Sequence, residues 1–329
     1  MNHKEQIFLD YIKARYQARL NPGHSGDEIL DNYYFCNIKR EWDKVSVYIR
    51  THIIDAKFFR DTNIVMTVED KLRNIFLARM HNKIETLEQY KIPQPEYNII
   101  DEEILKKQNP HSYRTQRLLE RLKQKTEGWN DSCWCLGNHL KKVLPDDLLK
   151  TGVWSSFKRA ILSWSDVTGL TPDSFVVYQL SLDLDWLFGY KDIDSFYILG
   201  PGAIRGMNMI YYKEQTVERI VQSRIDKGLI QDNLDIEIVN PGDVIESCDA
   251  LEIKTDYSQF SKEEFSGPVE GADYSKNMKD LQTFVNESEW AKENNIHIHI
   301  NDIEFNLCEF NKYYSKKMGW KTTLRKYDR

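Results

Sequence analysis

The sequence contains no apolar run near the eighteen or so residues that a membrane helix requires, so no membrane partner is expected. Its opening residues, Met1 to Gln6, carry no apolar signal segment, and the expected location is cytoplasmic. Cysteine is scarce and odd in number, five in 329 residues, which argues against a disulfide framework and for free thiols. Positive charge is in deficit: 45 Lys and Arg face 51 Asp and Glu, a formal net charge of −6. A protein that coats nucleic acid non-specifically depends on neutralising phosphates with Lys and Arg, so that class is disfavoured, while a local basic cleft stays open. Internal repeats and low-complexity segments are absent as well.

What is present is the composition of an ordinary folded protein, 41% apolar, 12% aromatic and 29% charged. The length suits one large domain or two modest ones, and the chain is read as one catalytic unit over residues 1–329. Apolar residues at helical spacing (Ile7, Phe8, Tyr11, Ile12, Tyr16) predict a helix over 4–20, stopped at Asn21-Pro22-Gly23. A second helix is predicted from Asp27 to Arg50, through Ile29, Leu30, Tyr33, Tyr34, Asn37 and Ile38. Further helical patterns at 68–80, 112–125, 133–143, 154–164, 173–188 and 207–224 make the expected fold mostly α.

Pro93, Pro95 and Pro110 mark 91–110 as a surface loop. Alternation at 235–239, an N-P-G-D turn at 240–243 and an acidic stretch at 258–273 predict a small strand or loop insertion over 232–275. Cys133 and Cys135 stand too close together for an ordinary zinc knuckle. His297 and His299 alternate with isoleucine and are read as the polar face of a short strand, not as a metal site.

Four polar blocks interrupt this pattern. The first, F-C-N-x-x-R-E-x-D-K over 35–44, places Asn37, Arg40, Glu41 and Lys44 on adjacent turns of the predicted second helix. The second, Y-Q-x-x-x-D-L over 178–184, sets Gln179 and Asp183 one turn apart on an otherwise apolar helix, where polar groups are costly unless they bind something. The third, G-P-G-A-x-R-G over 200–206, can turn backbone N–H groups and a helix N-terminus toward a phosphate. The fourth, E-x-x-L-C-E-F-x-K-Y over 304–313, brings Glu304, Cys308, Glu309 and Lys312 within three helical turns, and carboxylates in apolar surroundings acquire raised pKa values suited to acid/base work. A weaker fifth block, N-I-F-L-A-R-M-H-N, covers 74–82.

In order and spacing these blocks resemble the α-glutamyl/putrescinyl-thymine pyrophosphorylases, a family related to helix-hairpin-helix DNA glycosylases. The resemblance implies a helix-hairpin-helix glycosylase-like helical fold, to which the alternation at 235–239 adds a small strand-bearing C-terminal subregion. It implies an enzyme acting on flipped 5-hydroxymethyl-derived pyrimidines in double-stranded DNA. The leading activity is transfer, in which the amine of an amino acid or polyamine displaces pyrophosphate from activated 5-hydroxymethyluracil. The alternatives are excision of a bulky modified pyrimidine, such as glucosylated 5-hydroxymethylcytosine, in antiviral defence, and a non-catalytic DNA-binding module. No cofactor is expected beyond Mg²⁺ where pyrophosphate leaves.

The expected catalytic residues are Arg40, Asp183, Glu304, Glu309 and Lys312. A base or substrate pocket is expected from Tyr34, Asn37, Glu41, Asp43, Tyr178, Gln179 and Cys308, and contact with the DNA backbone from Gly200, Pro201, Gly202, Ala203, Arg205 and Gly206. The chain departs from the glycosylase pattern after the hairpin: Asp226 stands about where a catalytic Asp is found, without the usual Val-Asp context.

Overall fold

The computed structural model of the chain describes residues 3–95, 175–189, 194, 196–227, 264–320, 324 and 326. The helices expected at 112–125, 133–143 and 154–164, the strand at 235–239 and most of the 91–110 loop lie outside the described residues. Among the described ones the fold is mostly helical. Its helices are α1 His3–Leu20, α2 Glu28–Asn32, α3 Lys44–Ile49, α4 Val68–His81, α5 Ile84–Gln89, α6 Phe175–Phe188, α7 Pro201–Tyr211, α8 Lys213–Asp226, α9 Tyr274–Glu287, α10 Glu289–Glu293 and α11 Ile300–Lys317. No sheet forms among them; the extended pairings are the isolated bridges Tyr33–Lys326 and Phe58–Val65. None of these helices is long and apolar enough to cross a membrane. The chain divides into two compact units, one of Met1–Lys39 with Leu199–Arg329, the other of Arg40–Ile198.

In the first unit, α1 buries Phe8, Leu9, Tyr11 and Ile12, and Phe8 and Tyr11 meet Phe310 of α11 edge-on at 5.8 and 5.4 Å. The closest pairing is α7 on α11, and glycine makes it possible. A Cβ at Gly206 would stand 2.4 Å from the Leu307 carbonyl oxygen, and one at Gly202 would stand 2.4 Å from Cys308 Sγ. Pro201 occupies the first position of α7, where its missing N–H has no helical partner to lose. The helix expected at 207–224 is two: α7 starts earlier, at Pro201, and the chain breaks at Tyr212 before α8.

Two further expectations are corrected here. The helix predicted from Asp27 to Arg50 ends at Asn32, residues 34–39 leave the helix, and a single turn at Arg40–Trp42 precedes α3. The backbone of that stretch is bonded from far along the chain. Arg15 Nη2 donates to the Phe35 and Cys36 carbonyls at 2.9 and 2.8 Å, the Cys36 N–H donates to Glu309 Oε2 at 3.3 Å, and Asn306 Nδ2 donates to the Ile38 carbonyl at 2.7 Å. His297 and His299 are on no strand: they lead into α11, where His299 is the N-cap and its N–H donates to Asp302 at 3.1 Å.

In the second unit α4 opens with a capping box in which the Thr67 N–H donates to Asp70 at 2.8 Å and the Asp70 N–H donates to Thr67 Oγ at 3.2 Å. It packs on α6, whose Val177, Tyr178, Leu180, Leu182 and Leu184 are all buried. Gln179, Ser181, Asp183 and Asp185 are buried as well, so α6 is enclosed on every side over residues 177–185 and its polar groups there must find partners inside the protein.

Candidate functional site

Asp183, fully buried on α6, is held by two arginines. Arg79 Nε donates to Oδ2 at 2.6 Å and Nη2 to Oδ1 at 2.9 Å; Arg40 Nη2 donates to Oδ1 at 2.8 Å. Burial alone would raise the Asp183 carboxyl, but the Arg79 and Arg40 guanidiniums outweigh it and hold it below the usual value. Arg40 also donates through Nε to Gln179 Oε1 at 2.8 Å and lies over the Trp186 ring at 4.6 Å, while Arg79 reaches Ser46 Oγ at 2.8 Å. A carboxylate so occupied is a poor proton acceptor. The arrangement makes Asp183 an anchor for two cations, with Arg40 placed by that anchor instead of by a helix shared with Asn37.

The first unit holds a carboxyl in the opposite state. Glu304 is 4% exposed, receives the Gly200 backbone N–H, and leaves Oε2 with no hydrogen-bond partner among the described residues. Burial pushes its carboxyl up to about 8, with the Gly200 N–H pulling only weakly the other way. One turn along α11, burial pushes the Cys308 thiol up to about 11, and Lys312, Glu309, Glu304 and Arg205 all lie within electrostatic reach of it. Glu309 is buried, pairs with Lys312 Nζ and accepts from the Cys36 N–H. Burial draws the Lys312 ammonium down, but Glu309 more than offsets it and the net shift is upward.

The predicted residues therefore gather in two places: Arg40, Gln179 and Asp183 in the second unit, and the 200–206 block with Glu304, Cys308, Glu309 and Lys312 in the first. Others have plainer roles. Asp43 caps α3 by accepting from the Ser46 N–H at 3.1 Å, and Tyr178, expected to line a pocket, is a core residue packed edge-on against Phe196 at 6.0 Å. Tyr34 is 48% exposed, and Asn37 and Glu41 are half-buried. Gly202, Ala203 and Gly206 face the protein interior, Pro201 is exposed, and Arg205 Nη1 donates to Ser266 Oγ at 2.7 Å. Asp226 is exposed at the end of α8 and accepts from Gln222 at 2.9 Å.

Sequence reasoning missed Arg79, Ser46 and Trp186 as parts of the Asp183 cluster, and Tyr11 and Arg15 beside the Glu309 end of the first. Arg79 carried a signal, since it stands in the weak fifth block as a cation among apolar residues of one helix; the others carried none.

A profile of the family described as 5-hmdU DNA kinase, helical domain, matches residues 5–237, more than half of the chain. The chain belongs to that family. The 5-hmdU DNA kinase helical-domain match takes in Arg40, Arg79, Gln179, Asp183 and the 200–206 block, and it ends before α11 and Glu304. No curated protein and no solved structure matches the chain.

Proposed function

We propose that this chain acts on 5-hydroxymethyluracil-type bases in double-stranded DNA, and that it does so as a transferase. The substrate class is supported by the name of its family, whose kinase is described as acting on 5-hmdU DNA. The observation that carries the reaction type is Glu304: a buried carboxyl with one oxygen held by the Gly200 N–H and the other unpartnered, its pKa pushed up to about 8. In its ionised form a carboxyl of that pKa takes the proton from an amine that has attacked far better than an ordinary carboxylate does, so the step runs through the ionised fraction of Glu304.

In the proposed step an amine nitrogen bonds to the activated methylene of the flipped base as the carbon–oxygen bond to diphosphate breaks. The amine proton passes to Glu304 Oε2, and pyrophosphate leaves carrying the electron pair of the broken bond. Lys312, fixed by Glu309, supplies positive charge beside the site. Tyr34, on the exposed side of the same unit, offers a ring for an unstacked base. Mg²⁺ often accompanies pyrophosphate, but Glu309 is already shared by Lys312 and the Cys36 N–H and Glu304 is mostly protonated at pH 7, so these carboxyls do not suit a resident hard cation. No step is routed through one.

Base excision draws less support, because it calls for an ionised carboxylate facing the sugar. Asp183 is occupied by arginines and Asp226 is exposed and paired with Gln222. The test is product analysis. Duplex DNA carrying 5-hydroxymethyluracil or its diphosphorylated form is incubated with the protein and an amine mixture, digested, and its nucleosides weighed by mass spectrometry. A new amine adduct with release of pyrophosphate supports transfer; free base with abasic sites replaces it with excision; unchanged nucleosides in every arm reject both.

A further inference from the structure

Residues 312–329 carry seven Lys and Arg against one acid, Asp328, in a chain whose net charge is −6. Two of those lysines meet at one ring. Lys316 Nζ, in the last turn of α11, stands 4.8 Å from the centroid of Tyr33, and Lys326 Nζ stands 5.8 Å from it. Tyr33 and Lys326 are also paired through an isolated antiparallel bridge. Lys317, the residue after Lys316, is exposed, as is Lys326, and the residue after Tyr33 is the 48% exposed Tyr34.

The C-terminal end of a helix favours cations, which accounts for Lys316 and Lys317 but not for Lys326, brought to the same ring from outside α11. A ring face attracts an ammonium without neutralising it, so its charge stays available to a further partner. Of the acids on and before α2, Asp27 accepts the Ile29 and Leu30 N–H groups and the Tyr313 hydroxyl, Asp31 accepts the Ser25 N–H at 2.9 Å, and Glu28 is exposed. Among the described residues Lys316, Lys317 and Lys326 take part in no ion pair, so three positive charges stand without a bonded counter-charge.

A local surplus of this sign in an acidic chain fits a polyanion. The 200–206 block, expected to meet the DNA backbone, offers little charge for that purpose. Its Gly202, Ala203 and Gly206 are buried and its single cation, Arg205, donates to Ser266 Oγ at 2.7 Å. Neutralising phosphates takes Lys and Arg from elsewhere in the unit, and lysines next to an exposed aromatic ring are the combination that nucleic-acid surfaces use.

We propose that Lys316 and Lys326, held at Tyr33, together with Lys317 form a contact surface for the phosphate backbone of DNA, beside the exposed ring of Tyr34. The lysines supply affinity and register and read no sequence. This rests on DNA as the substrate and not on the transfer reading.

The test is binding of the full chain to a labelled unmodified duplex, read by fluorescence anisotropy over a range of salt. The combined variant Lys316→Gln, Lys317→Gln, Lys326→Gln is expected to bind roughly tenfold more weakly and to lose about 2–3 from the slope of log affinity against log salt, at about 0.9 for each phosphate contact removed. The loss should be the same on duplexes with and without 5-hydroxymethyluracil. Replacing the same three lysines by arginine should restore affinity and slope, and melting curves of both variants check the fold. Removing equal charge elsewhere in the unit, with Lys276→Gln, Lys279→Gln and Lys292→Gln, should leave the slope at its wild-type value.

Wild-type affinity and slope in the first variant, or an equal loss in the control, overturns the surface while leaving DNA as the substrate. Failure of the wild type to bind any duplex overturns both. Lysine-dependent binding to phosphatidylserine vesicles in place of duplex would assign the surface to an anionic membrane and overturn the DNA proposal. Lysine-dependent DNA binding without any amine adduct keeps the surface and rejects transfer.

Discussion

Arg79 grips Asp183 with two nitrogens, Nε at 2.6 Å from one carboxylate oxygen and Nη2 at 2.9 Å from the other, across 104 residues of chain. The contact ties α4 to α6 and leaves Arg40 to approach one oxygen from a third direction, over Trp186.

Asp183→Asn is expected to destabilise the protein by about 3–5 kcal/mol, because it strands two buried guanidiniums. Urea unfolding at pH 7 measures it. The wild-type contribution has a definite sign with pH: the folded carboxyl lies below its unfolded value near 3.8, so its stability is present above that pH and is lost as pH falls through the folded value. The deficit of Asp183→Asn relative to wild type should therefore shrink only under strongly acid conditions.

The two interface glycines should behave differently. Gly206→Ala drives a methyl into the Leu307 backbone oxygen, which cannot step aside, and a loss of about 1–3 kcal/mol is expected from overpacking. Gly202→Ala meets chiefly a side-chain sulfur, so adding Cys308→Ala should recover most of its loss while leaving Gly206→Ala unrescued. Thermal melts of the single and double variants decide this.

Glu304→Gln should abolish transfer and stabilise the fold at alkaline pH. The folded carboxyl titrates near 8 against 4.5 when unfolded, so its contribution is present below pH 4.5 and is lost as pH rises to about 8. Wild type and variant should match near pH 4 and diverge by up to a few kcal/mol by pH 8.5, with the variant more stable. Denaturant titrations at the two pH values check it.

Much of this fold was legible because its longer helices bury one face of their own sequence. The spacing of Phe8, Tyr11 and Ile12 located α1, and the 68–80 and 173–188 patterns located α4 and α6 to within two residues. The break after Asn32 was not legible. Its apolar residues keep helical spacing through Tyr34 and Ile38, and what unwinds it are Arg15, Asn306 and Glu309 bonding its backbone from elsewhere. The four polar blocks were legible as polar residues set among apolar ones, while the partners of each side chain were not. Asp183 and Glu304 look alike as carboxyls in a row of letters, and only the arginines bonded to one, with no cation bonded to the other among the described residues, set them apart.

Tyr34→Ala should leave stability within about 0.5 kcal/mol of wild type, as expected for an exposed side chain. It should weaken binding to DNA containing an unpaired or modified base roughly tenfold if its ring stacks on the extruded base. Melting curves and fluorescence anisotropy with a labelled duplex read the two effects separately.

The proton chemistry proposed for this protein runs through Glu304, and the most direct measurement is the titration of that one carboxyl by ¹³C NMR, identified by its loss in Glu304→Gln. A midpoint near 8 is predicted, with the transfer rate rising through the same pH. A midpoint near 4.5, or a rate indifferent to the ionisation of Glu304, would contradict it.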